Sequence, residues 1–223
     1  MKYGFLIGSL LIGFLASGQA VNDESKALME EVSIIYKNAK DLSADFTMIL
    51  RNKQADYKDD DGNVVEFREE QSGKVYFAGD MFRLDLGAQE IYCDNENIWS
   101  FLKESDEVTI TKYNEEDMEI NPSELFTMYN DGFLYGLEGK DQFNSKDYQV
   151  VKLTPNDKSQ SFHLVRLYIN PGSKKIEGAR VYEGNGNVYT YIIDNQELNK
   201  GLSENFFKFQ PSKQPGVEVI DLR

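Results

Sequence analysis

Residues 74–102, KVYFAGDMFRLDLGAQEIYCDNENIWSFL, decide the fold. Read with a period of two, Phe82, Leu84 and Leu86 share one face of a strand, and Arg83 and Asp85 share the other. After the Gly87-Ala88 break, Ile91 and Cys93 begin a second strand. Asp94-Asn95-Glu96-Asn97 has the composition of a turn, and Trp99 and Phe101 share one face of a third strand. The stretch predicts a meander of antiparallel strands with one apolar face. Such a face needs a cover, and what covers it is the functional question.

Working outward, residues 1–20 have the pattern of a secretory signal. Lys2 is a short positive region, Phe5 to Leu15 an apolar core, and small residues lead to expected cleavage after Gly18 or Ala20. The apolar run is too short for a membrane span. Residues 21–223 are then expected to form a single exported, soluble domain. The lone cysteine, Cys93, does not follow the signal, so no lipid attachment and no internal disulfide are expected, and packing must hold the fold. The formal charge of −14 argues against nucleic acid and against docking on anionic lipid, both of which want clustered Lys and Arg. It suits a solvated surface, or a complement to basic partners.

Asn22-Asp23-Glu24-Ser25 offers cap oxygens and first-turn acids. Leu28, Val32, Ile35, Ala39 and Leu42 follow as one helical stripe. Ala44, Phe46, Met48 and Leu50 then alternate on a strand. A polar hairpin, Asp56 to Asn63, leads to Val65 and Phe67, and later to Val75 and Phe77. Val108 and Ile110 continue the meander. Between about Asn114 and Gly139 the alternation stops: Asn121-Pro122 reads as a cap and first helical position, followed by Leu125, Phe126, Met128, Tyr129, Phe133 and Leu134 as an apolar helix. Strands return at Tyr148 to Leu153, Phe162 to Ile169, Ile176 to Tyr182 and Val188 to Ile193, with a hairpin signal at Gly184–Asn187. Phe206 to Pro211 reads as a last strand, followed by Gly216 to Asp221. The class is mainly β (α+β). A sheet of about ten strands should curl or close into a barrel, accompanied by an N-terminal helix and a helical insertion.

These residues resemble the periplasmic outer-membrane lipoprotein carrier family of the LolA type. Leu42-Ser43-Ala44-Asp45-Phe46-Thr47 is similar to its opening motif, and Gly73 with Met81-Phe82-Arg83-Leu84 to its "k-F-R-w" segment. Asp94 to Trp99 resembles "s-D-G-k-x-l-W", Lys152-Leu153-Thr154-Pro155 resembles "L-x-P", and Phe207-Lys208-Phe209 through Gly216–Asp221 resembles the family ending. Asn121–Phe126 sits where the family has a short lid helix. The resemblance implies an unclosed antiparallel β-barrel, a helical lid, and an apolar cavity for the acyl chains of lipoproteins. It implies a monomer that receives lipoproteins from an ATP-driven inner-membrane transporter and gives them to an outer-membrane acceptor or membrane. The family's Arg-Pro pair before "k-F-R-w", whose Arg holds the lid, is replaced by Ala78-Gly79.

The expected cavity lining is Phe46, Met48, Leu50, Phe82, Leu84 and Trp99. Leu125, Phe126, Met128 and Tyr129 form the expected underside of the lid. Arg83 is either an outward strand residue or a contact to the lid or a partner. No G-x-S-x-G, H-E-x-x-H or C-x-x-C is present, so no catalytic residue, metal or cofactor is expected. Cys93 with His163 has no supporting signature. Asp59-Asp60-Asp61-Gly62 fails as a calcium loop because Arg68 falls at position twelve. Two other readings stand beside the carrier: a lipid- or stress-sensing regulatory domain of the same fold, and a secreted hydrolase using dispersed Asp and Glu.

Overall fold

The computed structural model describes residues 15–114 and 132–223. The first element is helix α1, Leu15–Lys37. Its buried stripe is Ser25, Leu28, Met29, Val32 and Tyr36, while Ile34 is exposed. That stripe is one turn shorter than expected: Ala39 lies past the helix, and Leu42 opens the first strand. Nor does the helix start at Asn22–Ser25. It runs on toward the N-terminus, and Ser25 is buried within it instead of capping it.

The strands are β1 (Leu42–Asn52), β2 (Tyr57–Lys58), β3 (Val64–Val65), β4 (Arg68–Ala78), β5 (Met81–Asp85), β6 (Gln89–Cys93) and β7 (Asn97–Leu102). After β8 (Glu107–Lys112) come β9 (Phe133–Phe143), β10 (Lys146–Pro155), β11 (Phe162–Ile169), β12 (Ile176–Glu183), β13 (Asn187–Leu198) and β14 (Glu218–Asp221). β2 and β3 make a separate ribbon from the polar hairpin. The other twelve form one sheet in the order β14-β8-β7-β6-β5-β4-β1-β13-β12-β11-β10-β9. Its two ends, β14 and β9, do not pair with each other, so the sheet curls without closing.

Three expectations need correction. Phe133 and Leu134 belong to an eleven-residue strand, β9, and not to a helix. Phe133, Tyr135 and Leu137 alternate along it, and Gly139 at φ 92 absorbs the bulge opposite Val150 and Val151. Phe206–Gln210 is not a strand. Short 3-10 helices at Glu204–Phe207 and Pro211–Lys213 lay this segment across the sheet, burying Phe207 and Phe209. The sheet is also not wholly antiparallel, since β14 runs parallel to β8 after that crossing.

The main core lies on the concave face. There α1 presents Leu28, Met29, Val32 and Tyr36 to Phe77, Phe82, Val151, Leu153, Leu167 and Ile176. Each such side chain contributes about 1.5–3 kcal/mol when fully removed from water, so the helix is held firmly. Two clusters occupy the convex face: Tyr92, Phe101, Val108 and Phe209, and Phe143, Tyr148, Val150 and Tyr168. In the second, Phe143 stacks on Tyr168 with ring centroids 4.1 Å apart.

Candidate functional site

Directly paired residues of neighbouring antiparallel strands share a face, so the register fixes what lines the concave face. Phe46 lies opposite Gly73 and Ile193, Met48 opposite Gln71 and Tyr191, and Leu50 opposite Glu69 and Tyr189. Leu84 lies opposite Val75 and Ile91. These four predicted residues therefore sit on the concave side. The close approach of Phe46 depends on Gly73: a Cβ there would lie 3.2 Å from the Phe46 ring and 2.4 Å from the Asp85 carbonyl oxygen.

Phe82 shares this face but is 1% exposed, packed between Phe77 and Cys93. It is core, with no surface left to offer a guest. Trp99 departs from the expectation altogether. Cys93 pairs with Ile98, and Tyr92 with Trp99, so Trp99 points to the convex side and packs on Tyr92 and Phe101. The turn is the cause. Asn95 adopts φ 75 and the Asp94 carboxylate accepts from the backbone N–H groups of Glu96 and Asn97, so the strands reverse with Ile98, not Trp99, continuing the face of Cys93. Leu125, Phe126, Met128 and Tyr129 lie outside the described residues.

Arg83 also faces the convex side. Its guanidinium lies 3.1 Å from Glu90 and rests 4.7 Å from the Tyr92 ring centroid and 4.8 Å from that of Phe206. Lys103 contacts Glu90 at 2.8 Å and Asp85 at 3.2 Å, and the Tyr92 hydroxyl donates to Glu90. Burial works to raise the Glu90 pKa, but these donors and cations outweigh it and leave it below the ordinary carboxylate value. Arg83 thus clamps the C-terminal segment to the outside of the sheet, away from the hollow. At the Ala78-Gly79 departure the chain makes a two-residue hairpin in which Ala78 pairs with Met81. Gly79 takes φ 60 there, a value proline cannot adopt, so the family's Arg-Pro pair has no room in this turn.

Residues the sequence reading missed complete the concave surface. Ile91 and Ile98 flank Leu84 on one side. Across the hollow, Phe133, Tyr135, Leu137, Phe162, Tyr189 and Tyr191 are half-buried against the same core. Alternation along β9 and β13 was the available signal; the helical reading of Phe133 and the absence of a known register hid it. Burial pushes the Tyr191 hydroxyl up to about 12, so it remains a neutral hydrogen-bond donor at ordinary pH.

The arrangement is a curved apolar surface that α1 fills over part of its extent and leaves half-buried over the rest. It offers burial and a few phenol hydroxyls. The Cys93 thiol is buried in the core and pushed up to about 11 by that burial, which opposes thiolate formation. His163 is exposed on β11, and five strands of the sheet stand between it and the strand of Cys93, so the two do not form a nucleophile pair within the sheet.

Comparison with known proteins agrees with this geometry. Residues 37–210 match the family model described as Outer membrane lipoprotein carrier protein LolA. The match stops short of Gly216–Asp221, to which the sequence resemblance extends. An outer-membrane lipoprotein carrier protein from Halorhodospira halophila (strain DSM 244 / SL1) is 29% identical over 168 residues, covering 73% of this chain and 74% of the relative. An uncharacterized conserved protein from Thermus thermophilus superposes with a TM-score of 0.51 at 13% identity, covering 89% of this chain and 99% of that one, a likeness of fold. The chain belongs to the LolA family of outer-membrane lipoprotein carrier proteins.

Proposed function

We propose that the protein is a periplasmic carrier that holds the acyl chains of lipoproteins against the open part of its concave face and moves them from the inner to the outer membrane. The observation that carries this reading is the half-buried apolar surface running from Phe46, Leu84, Ile91 and Ile98 to Phe133, Tyr135, Tyr189 and Tyr191. Such a surface is costly to leave wet unless a guest completes it. Membership of the carrier family supports the same conclusion, as does the export signal expected at residues 1–20.

The energetics define the role. Each methylene removed from water is worth about 0.8 kcal/mol, so a chain of roughly 14 methylenes represents about 11 kcal/mol. No lipoprotein leaves a bilayer at useful rates against that. The carrier receives cargo from an ATP-driven transporter in the inner membrane, holds it, and releases it to an acceptor or bilayer that binds it better.

The test is to isolate the protein from periplasm and identify co-purifying molecules by native mass spectrometry. Acylated peptides or proteins are expected. A protein recovered free of acyl species, and unable to take up an acylated peptide from detergent, would refute the reading.

A further inference from the structure

The sequence shows no run of Lys and Arg, but the fold assembles one. On the convex face Lys152 of β10 lies directly opposite Arg166 of β11, and Arg166 lies directly opposite Arg180 of β12. Three cations from adjacent strands thus stand side by side in a chain with 38 acidic residues against 24 basic ones. Like charges directly opposite each other on a sheet are unfavourable, and an acidic chain has carboxylates in excess to neutralise them.

Elsewhere the protein does neutralise such pairs. Arg51 and Arg68 are also directly opposite, and there Arg51 contacts Asp56 and Glu66 while Arg68 contacts Glu70. Among the described residues Arg166 has a carboxylate, Glu138 at 2.8 Å. Among the described residues neither Lys152 nor Arg180 has an acidic side chain within 4.0 Å. Arg180 instead rests 5.4 Å from the ring centroid of Phe143 and 5.5 Å from that of Tyr168, which fixes its position without cancelling its charge. Lys152 is exposed.

An exposed aliphatic side chain and a phenol stand beside the row. Leu134, 64% exposed on the free edge strand β9, shares the convex face two positions from Gly136, the partner of Lys152. The Tyr182 ring lies 5.8 Å from the Arg166 guanidinium. Cations beside an exposed aliphatic chain and a phenol match the headgroup layer of a bilayer. We propose that Lys152, Arg166 and Arg180 form a docking site for the phosphates of an anionic phospholipid surface. The site lies on the side of the sheet opposite the hollow and does not depend on what the hollow holds. The net negative charge does not forbid it, because at roughly 0.1 M salt charges more than about 10 Å away are largely screened.

The test is co-sedimentation of the full-length protein with vesicles of pure phosphatidylcholine, and of equal parts phosphatidylcholine and phosphatidylglycerol. Binding is expected only to the second. Lys152→Gln, at an exposed position with no folding burden, should weaken it about fivefold, and Arg180→Gln by a similar factor. Lys58→Gln, on the separate β2–β3 ribbon, should leave it unchanged. Equal binding to both vesicles, no binding of the wild type, or equal losses from Lys152→Gln and Lys58→Gln would each overturn the proposal. So would row-dependent binding to polyglutamate without binding to vesicles, which would make the partner an acidic protein. A failure here leaves the carrier reading intact, because acyl uptake is measured separately.

Discussion

The Tyr36 hydroxyl donates a 2.9 Å hydrogen bond to Gln196 Oε1, joining the last turn of α1 to β13 across 160 residues. The same oxygen accepts from the Ile176 backbone N–H at 2.9 Å, while the Gln196 amide donates to the Ile176 carbonyl oxygen at 2.7 Å. The three groups satisfy one another in a buried place, and burial pushes the Tyr36 phenol well above its ordinary value, so it stays a donor. The helix that fills part of the hollow is therefore pinned by a polar network as well as by its apolar stripe.

Replacing Tyr36 by Phe keeps the ring and removes the oxygen, stranding the Ile176 N–H and the Gln196 carbonyl oxygen. A loss of about 1–3 kcal/mol is expected, read as a lower urea midpoint with unchanged slope. A midpoint equal to wild type would show that the network adds nothing.

Asp41 anchors the loop after β13. Its carboxylate accepts from the backbone N–H groups of Lys200, Gly201 and Leu202 at 2.7, 2.8 and 3.1 Å. Burial tends to raise its pKa, but the three donors win and hold it below the usual range. A carboxyl depressed in the folded state stabilises fully above its unfolded value, about 3.9, and loses that contribution as pH falls toward the folded value. Asp41→Asn should cost about 2 kcal/mol at pH near 7 and make stability less dependent on pH in the acid range. Parallel pH–stability curves for the two proteins would contradict this.

A carboxylate at Met48 tests the hollow. Met48 is half-buried on the concave face opposite Tyr191, so Met48→Glu should leave the protein folded and reduce acyl-peptide binding at least tenfold, since the charge must be desolvated beside the guest. Trp99→Leu, on the other face, should leave binding unchanged. Phe82→Glu is a poor probe of binding, because at 1% exposure it would place an unpaired charge in the core and unfold the protein. Equal binding losses from Met48→Glu and Trp99→Leu in folded proteins would remove the hollow as the site.

Gly178 is held by contact rather than by backbone conformation. A Cβ there would fall 2.3 Å from the Phe143 ring, which is stacked on Tyr168. Gly178→Ala should destabilise by about 1–3 kcal/mol and, by shifting the rings under Arg180, weaken vesicle binding as well. Thermal melts and sedimentation on the same sample check both; an unchanged melting temperature would mean that the ring moves freely.

Alternation and turn chemistry by themselves determine much of this protein. Phe82 and Leu84 on one face, Arg83 on the other, the polar ribbon after Asp56 and the hairpin at Gly184–Asn187 are local features, set within a few residues by the pleat and by backbone sterics. Tertiary structure alone decided the face of Trp99, the strand at Phe133, the crossing of Phe206–Phe209 and the alignment of Lys152 with Arg166 and Arg180. Each depends on register or on a partner far along the chain, and a shift of one residue in pairing sends every side chain of a strand to the other side of the sheet.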